Sequence, residues 1–464
     1  MQLSPEWQVV LACARTHLQS EECQPLDRAL LETIDWDHLT ALACRHGIAP
    51  LVYHHLHEMT GADVQPQGAL DGLRRSYYGN VARNALLYKE LNRVLDALQG
   101  IGTQVIVLKG AALAETVYPN RALRAMSDID LLVRPEELSR VEDRLLALGY
   151  ALHPHPLGIA WVKAHHYHLV FVQPKAPASA ILLEIHWHLD RPSRPFTIDI
   201  EGLWARAVPA RIAGVAAWVL SPEDLLLYLC LHTCKHSLTS SLRPLCDIAA
   251  IIRQYGPTIA WGQLQTRAAH WRIAPYVYLP LHLARDVVGA AVPEACLRAL
   301  QPEGFEVRLL SWATADLLAE QDAPPLLPEL FRLWKGPRLR DRLALVRQSL
   351  SPAAVAHAYG IAPASKRLYG YYPVRLKDLL RRYGPTLWRL LRQDPQLTAL
   401  AEGKAQLAHW LQPFAASSNH EGPQLTPTKA SLSPLPPSRS GDEQAKDRKP
   451  QERFGPTTSR AERR

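Results

Sequence analysis

An acidic pair set in an apolar run, Ser127-Asp128-Ile129-Asp130-Leu131-Leu132-Val133, constrains this chain more than any other stretch. A strand rises about 3.3 Å per residue and alternates its side chains, so Asp128 and Asp130 share one face with Cα atoms roughly 6.6 Å apart. Ile129, Leu131 and Val133 turn to the other face and anchor the strand in a core. Upstream, a second apolar run, Val105-Ile106-Val107-Leu108, closes on Lys109-Gly110. A glycine turn after a strand lets backbone N–H groups approach phosphate. Two parallel carboxylates can hold a pair of divalent ions about 3.5–4 Å apart, the spacing used in phosphoryl or nucleotidyl transfer. Together the two segments point to phosphate chemistry on a nucleotide. An isolated D-x-D recurs by chance, so its surroundings carry the argument.

Those surroundings supply a third acid. A helix is expected from Pro135 to Leu148, closed by Gly149, followed by two extended runs, Tyr167 to Val172 and Ile181 to Trp187. Residues 173–180, with Pro174 and Pro177, join these runs as a hairpin loop. In the second run Leu183, Ile185 and Trp187 share one face and Glu184, His186 and His188 the other. A carboxylate in mid-strand needs a partner. Glu184 is therefore expected as the third metal ligand or the general base, and His186 as a packed or hydrogen-bonded histidine.

The segments Leu108-Lys109-Gly110-Ala111-Ala112, Arg124-Ala125-Met126-Ser127-Asp128-Ile129-Asp130-Leu131-Leu132-Val133 and Leu183-Glu184-Ile185-His186-Trp187 resemble the uncharacterised bacterial nucleotidyltransferase family of the polymerase-beta-like superfamily. The similarity continues through Leu220-Ser221-Pro222-Glu223-Asp224 and Leu231-His232-Thr233-Cys234-Lys235-His236, so that it covers residues 90–280 or so. It implies that Gly110 belongs to a triphosphate-holding motif, that Asp128 and Asp130 bind Mg2+ (or Mn2+), and that Glu184 completes the site. The chain departs from the wider superfamily in having Lys109-Gly110-Ala111 where a second glycine and a serine are usual, and in a longer gap to the acidic pair. Lys109 and Arg124 are then expected to meet phosphate charge, one as a point charge and one as a bidentate fork, with Ala111 and Ser127 beside them. The competing readings are a solvated strand end for Lys109 and an acid-paired loop arginine for Arg124.

The activity implied by the resemblance is metal-dependent transfer of a nucleoside monophosphate from a nucleoside triphosphate to a hydroxyl of a protein, RNA or small molecule. Attack on the α-phosphorus would be in line, with Glu184 near the acceptor and able to take its proton. Two other classes stay open. One is a catalytically inactive nucleotide-binding module, for which Ala111 speaks. The other is an adaptor that binds an anionic surface, membrane or nucleic acid, through residues 331–393.

With 464 residues, 47% of them hydrophobic, the chain can bury a large core. The expected fold is α+β: a small mixed-sheet nucleotidyltransferase core flanked by N-terminal and C-terminal helical regions, with a disordered C-terminal tail. Boundaries are placed at 1–82 (helical), 83–215 (core), 216–325 (helical, packed on the core), 326–415 (basic helical) and 416–464 (tail). Within these, Asn84 to Leu98 forms an amphipathic helix ending at Gly100, and a buried helix from Leu242 to Tyr255 pairs Arg243 with Asp247 at i,i+4. The start lacks a basic then apolar leader, and no eighteen apolar residues run together. Seven cysteines, odd in number and scattered, fit reduced thiols. A cytoplasmic enzyme is expected, with peripheral attachment to a membrane open to it.

Cys230-x-His232-x-Cys234-x-His236 imitates a metal motif on a helix capped by Ser221 and opened by Pro222, with Asp224 three residues after the cap. Residues two apart on a helix lie about 200° apart, so cysteines and histidines cannot share one ion. His232, Lys235 or His236 is expected to line the nucleotide pocket instead.

Charge is uneven along the chain. Residues 331–393 hold fourteen Lys or Arg against two Asp, a net of +12 that exceeds the +8 of the whole chain. Arg338 to Arg347 and Arg375 to Arg382 interleave basic and apolar residues at helical spacing, among Tyr359, Tyr369, Tyr371, Tyr372 and Tyr383, which suits an anionic partner. The tail from Ala416 is rich in Pro, Ser and Gln and nearly devoid of aliphatic residues, hence expected to be disordered.

Overall fold

Alternation of apolar and polar residues organises the centre of the molecule into one sheet. In the computed structural model its strands are β1 (Ile106–Val107), β2 (Asp128–Leu132), β3 (Ala151–Leu152), β4 (His168–Val172), β5 (Leu182–His186), β6 (Val208–Ile212) and β7 (Val215–Val219). Their order is β3-β4-β5-β2-β1-β7-β6. The sheet is mixed: β2 runs parallel to β5 and β1 to β7, whereas the pairs β1/β2, β3/β4, β4/β5 and β6/β7 are antiparallel. The structure describes residues 3–14, 28–60, 68–155, 158–173, 181–235, 238, 241–319, 334, 346–347, 349–350, 351–359, 361 and 365–410. All belong to one unit, Met1–Pro413. All but the first residue of the expected loop at 173–180, most of the Arg338 to Arg347 run, His236 and the tail from Ala416 lie outside the described residues.

Each face of the sheet has its own core. On one face Ile129, Leu131, Val133, Leu169, Phe171, Leu183 and Ile185 pack against Leu87, Leu91, Val94 and Leu98 of the Asp71–Gln99 helix and Val141 and Leu145 of the Leu138–Ala147 helix. Side chains of this size contribute about 1.5–3 kcal/mol each when fully buried. On the other face Ile106, Leu108 and Leu132 join a larger core built from the helices Pro222–Lys235, Arg243–Tyr255 and Ala274–Val288 and from the N-terminal helices Pro5–Ala14, Trp36–Arg45 and Ala49–Thr60. The same alternation that buries Ile129 and Leu131 sends Asp128 and Asp130 to this second face. A slip of one residue would drive both acids into the first core, so the hydrophobic pattern fixes the register.

Several elements extend the expectations drawn from sequence. A helix closed at Gly100 is present, but it begins at Asp71 and runs through position 82 without a break. Three strands were not anticipated: the short β3 and the hairpin β6/β7. That hairpin turns at Ala213 and Gly214, with φ of 51° and 82°, the two left-handed residues that a type I′ turn requires. The expected i,i+4 pair of Arg243 and Asp247 is replaced, because Asp247 bonds to Arg124 and Tyr118 instead. Among the described residues no helix is long and apolar enough to cross a membrane.

Candidate active site

The parallel register of β2 and β5 sets Asp130 directly opposite Glu184, and the antiparallel register of β4 and β5 sets His168 opposite His186. Four side chains from three neighbouring strands thus meet on one face. His186 Nε2 lies 3.0 Å from Asp130 Oδ1 and 3.2 Å from Glu184 Oε2, and His168 Nε2 lies 3.9 Å from Glu184 Oε2. Asp130 also accepts from Lys109 Nζ at 2.8 Å. Asp128, nearer the surface, accepts from Ser127 Oγ at 3.1 Å. The side chains of Asp130 and His186 are 3% and 1% exposed, those of Glu184 and His168 22% and 16%, so the cluster is roofed at one end and open at the other.

Burial and neighbouring charge divide the three acids. Burial pushes the Asp130 carboxyl up, but Lys109 and the His186 hydrogen bond outweigh it and hold the group well below the usual carboxylate range. Glu184 likewise ends below its ordinary value, with His186 overcoming desolvation. Asp128 goes the other way, raised by burial and by the Asp130 charge. His168 is pushed down to about 3 by burial and by His186, so it is neutral at physiological pH. Desolvation opposes the Lys109 charge, yet Asp130, Tyr228 and Glu184 keep its ammonium well above the ordinary lysine range.

The corner that carries Lys109 differs from a glycine turn. Lys109 itself has φ of 37°, a left-handed conformation that costs an L-residue roughly 1–2 kcal/mol, and its ion pair with Asp130 helps hold it there. Gly110 sits in the first turn of the Lys109–Thr116 helix, and what it supplies is space. A Cβ at that position would lie 2.9 Å from Arg124 Nη1 and 3.1 Å from Met126 Cγ. Leu108 N–H donates to Asp130 O and ties this corner to β2. No side chain caps the N-terminus of the helix, whose second and third residues are Gly110 and Ala111.

Arg124 takes the second of its two sequence readings. It is buried, donating to Asp247 through Nε at 3.3 Å and Nη2 at 2.8 Å and to Ala125 O through Nη1, so its fork is engaged by protein acceptors rather than open to phosphate. Tyr118 Oη adds a 2.8 Å bond to Asp247. Arg243, four residues before Asp247, packs its side chain over Gly47 and makes no hydrogen bond through its guanidinium among the described residues. Burial and the nearby Arg124 charge weaken its hold on a proton, and it feels the Asp128 charge. On the opposite side Lys235 reaches Tyr167 Oη and sits 3.8 Å from Asp190. Burial brings its ammonium down to about 8. Its helix is capped at Ser221 as the sequence suggests, and Cys230 is buried in the core.

Sequence reasoning missed His168 and Asp190, and took Arg243 and Asp247 as partners of each other and not as neighbours of the site. His168 was within reach, because the two extended runs fold symmetrically about their loop and such a hairpin places position 168 beside 186. Asp247 was not, since its partner lies 123 positions away. The donor set of carboxylates and imidazoles on one partly open face fits a divalent cation.

A family model described as uncharacterised nucleotidyltransferase matches residues 32–289, more than half of the chain. The matched segment takes in all seven strands and the helices through Ala274–Val288. No curated protein matches the chain. The protein therefore belongs to this uncharacterised nucleotidyltransferase family, and its class of chemistry is that of a transferase.

Proposed function

We propose that the chain transfers a nucleoside monophosphate from a nucleoside triphosphate to a hydroxyl of a protein, RNA or small molecule, with Asp128, Asp130 and Glu184 as the divalent-metal ligands. The observation that carries this is the register of β2 and β5, which brings acids 54 positions apart in sequence onto one face beside a buried lysine. A divalent cation such as Mg2+ or Mn2+ bound by these acids supplies charge neutralisation for the phosphates.

The chain's own groups do the rest. The uncapped N-terminus of the Lys109–Thr116 helix, at Gly110 and Ala111, offers backbone N–H groups to the triphosphate. Lys109 adds a cation at the same corner, while Ser127 orients Asp128. Arg124 buttresses the strand through Asp247, and Arg243 and Lys235 supply charge toward the phosphates from the two sides. Glu184, ionised at neutral pH, is placed to accept the acceptor hydroxyl's proton as that oxygen attacks phosphorus and pyrophosphate leaves.

The test is incubation of the full chain with each α-labelled triphosphate and MgCl2 or MnCl2, with and without cell lysate. Labelled product is expected with the native chain and none with Asp128→Asn. Absence of both label and triphosphate binding under every condition would overturn the reading.

A further role for the basic region has its own support. The Tyr371–Leu391 helix exposes Val374, Leu376, Leu380, Trp388 and Leu391 among Arg375, Lys377, Arg381 and Arg382. Apolar and basic side chains shared on an exposed helix suit attachment to an anionic membrane surface. Co-sedimentation with vesicles containing anionic lipid, lost with neutral lipid or at high salt, is the expected result, and equal recovery in both would count against it.

A further inference from the structure

We propose that His168, Glu184 and His186 form a binding site for a later first-row divalent transition ion, so that the metal of this enzyme is of the Co2+ or Zn2+ type in preference to Mg2+. The inference rests on the reading of Glu184 as a metal ligand and names the metal class that its neighbours select.

Spacing is the first argument. One donor atom from each residue lies within 4.8 Å of the others. Donors held about 2.0–2.1 Å from a common ion stand roughly 2.8–3.4 Å from one another in octahedral or tetrahedral sites. The 3.2 Å between His186 Nε2 and Glu184 Oε2 falls in this range, and the 3.9 Å from His168 Nε2 to the same oxygen needs only a small side-chain rotation. Asp130 Oδ1, 3.0 Å from His186 Nε2 and bonded to Lys109, borders the group on its buried side.

Donor chemistry is the second argument. Mg2+ favours an all-oxygen shell that keeps several waters, whereas imidazole nitrogen suits the later divalent ions. A site needing only to attract Mg2+ gains nothing from two imidazoles facing its central carboxylate. Both rings turn Nε2 toward Glu184, and His186 Nε2 also faces Asp130. The sheet imposes this arrangement: residues 168 and 186 are register partners, their rings 5.0 Å apart, and Glu184 shares their face. The partial exposure of Glu184 and His168 leaves a way in from solvent.

Co2+ serves as the probe because its visible absorption reports its ligands. The nucleotide-free full chain is titrated with CoCl2, then challenged with ZnCl2 or MgCl2. Saturable absorption is expected, abolished by micromolar Zn2+ and unmoved by millimolar Mg2+. His168→Gln, at a partly exposed position, is expected to weaken Co2+ binding about tenfold or more and to alter the spectrum, with the thermal melt unchanged. His186→Gln should do the same, and His168→Gln stands alone as the test if that buried variant does not fold. A Co2+ spectrum unaffected by His168→Gln, or Mg2+ displacing Co2+ at comparable concentration, would overturn the proposal. The two readings fail separately: Mg2+-supported transfer without a histidine-dependent Co2+ signal removes this one alone. Co2+ held through His168 in a chain that transfers no nucleotide with any metal removes the proposed activity alone.

Discussion

Asp128 and Asp130 share a strand face but not a role in stability. Asp130 is the buried acceptor of Lys109 and His186, whereas Asp128 is less buried, hydrogen-bonded to Ser127, and raised in pKa partly by its own neighbour. Replacing Asp130 by Asn leaves the Lys109 ammonium facing a neutral amide in a desolvated place. A loss of roughly 1.5–3 kcal/mol is expected, the worth of hydrogen bonds to charged groups. Asp128→Asn removes a repulsion along with a bond and should stay within about 0.5 kcal/mol of the native chain. Both variants should lose transfer. Urea unfolding decides the stability difference, and equal midpoints for the two would show that the Lys109–Asp130 pair contributes nothing net. Lys235 gives a residue-level pH dependence. Its folded value of about 8 lies below the free value of 10.5, so its cation is present below pH 8 and lost as pH rises through that value. Triphosphate affinity should therefore fall on going from pH 7 to pH 9, and Lys235→Arg, permanently charged, should flatten that fall. A native profile flat across this range, measured by equilibrium binding, would remove Lys235 from the phosphate contacts.

At the level of elements, the corner between β1 and the Lys109–Thr116 helix shows where sequence is legible and where it is not. That a strand ends here in a turn can be read from Val105 to Gly110. Which residue takes the left-handed turn cannot, because glycine is the default reader's choice and here the ion pair with Asp130 puts Lys109 there instead. Gly110 is needed for the approach of Arg124 and Met126, side chains that come from a loop fourteen and sixteen positions on. Gly110→Ala should accordingly cost about 1–3 kcal/mol, as small-to-large changes in packed sites do, and should weaken triphosphate binding. An unchanged thermal midpoint would mean that Arg124 yields freely. β2 and β5 were legible because strict alternation of acids with Ile129, Leu131, Leu183 and Ile185 fixes both the face and the period. The β6/β7 hairpin was not, since Pro209, Ala210, Ala216 and Ala217 dilute its alternation and its turn residue Ala213 carries no left-handed preference. The first half of the Asp71–Gln99 helix escaped for a similar reason: Gly72, Ser76, Gly79 and Asn80 mask its period, and tertiary contacts with the N-terminal helices sustain it.

At the scale of the whole molecule, one buried charge cluster joins the strand layer to the helical layer. Arg124, on the loop that leads into β2, pairs with Asp247 on the Arg243–Tyr255 helix, and Tyr118 bonds the same carboxylate. The Arg124 and Asp247 side chains are 11% and 2% exposed, so little water is at hand to replace a lost partner. The two halves of the pair are nevertheless not equivalent. If Arg124 is replaced by Met, Asp247 retains Tyr118 and can be reached by Arg243, one helical turn away, whose guanidinium makes no hydrogen bond among the described residues. If Asp247 is replaced by Asn, Arg124 and Arg243 are left close together, and each already lies in the other's repulsive field. Asp247→Asn should thus cost about 3–5 kcal/mol, the usual penalty for stranding a buried charge, and Arg124→Met only about 1–2 kcal/mol. The double replacement should recover part of the Asp247→Asn loss, because one stranded cation is gone. Two equal single losses that simply add in the double variant would show that Arg243 is not the understudy its position makes it, and that Arg124 and Asp247 do not act as a coupled pair.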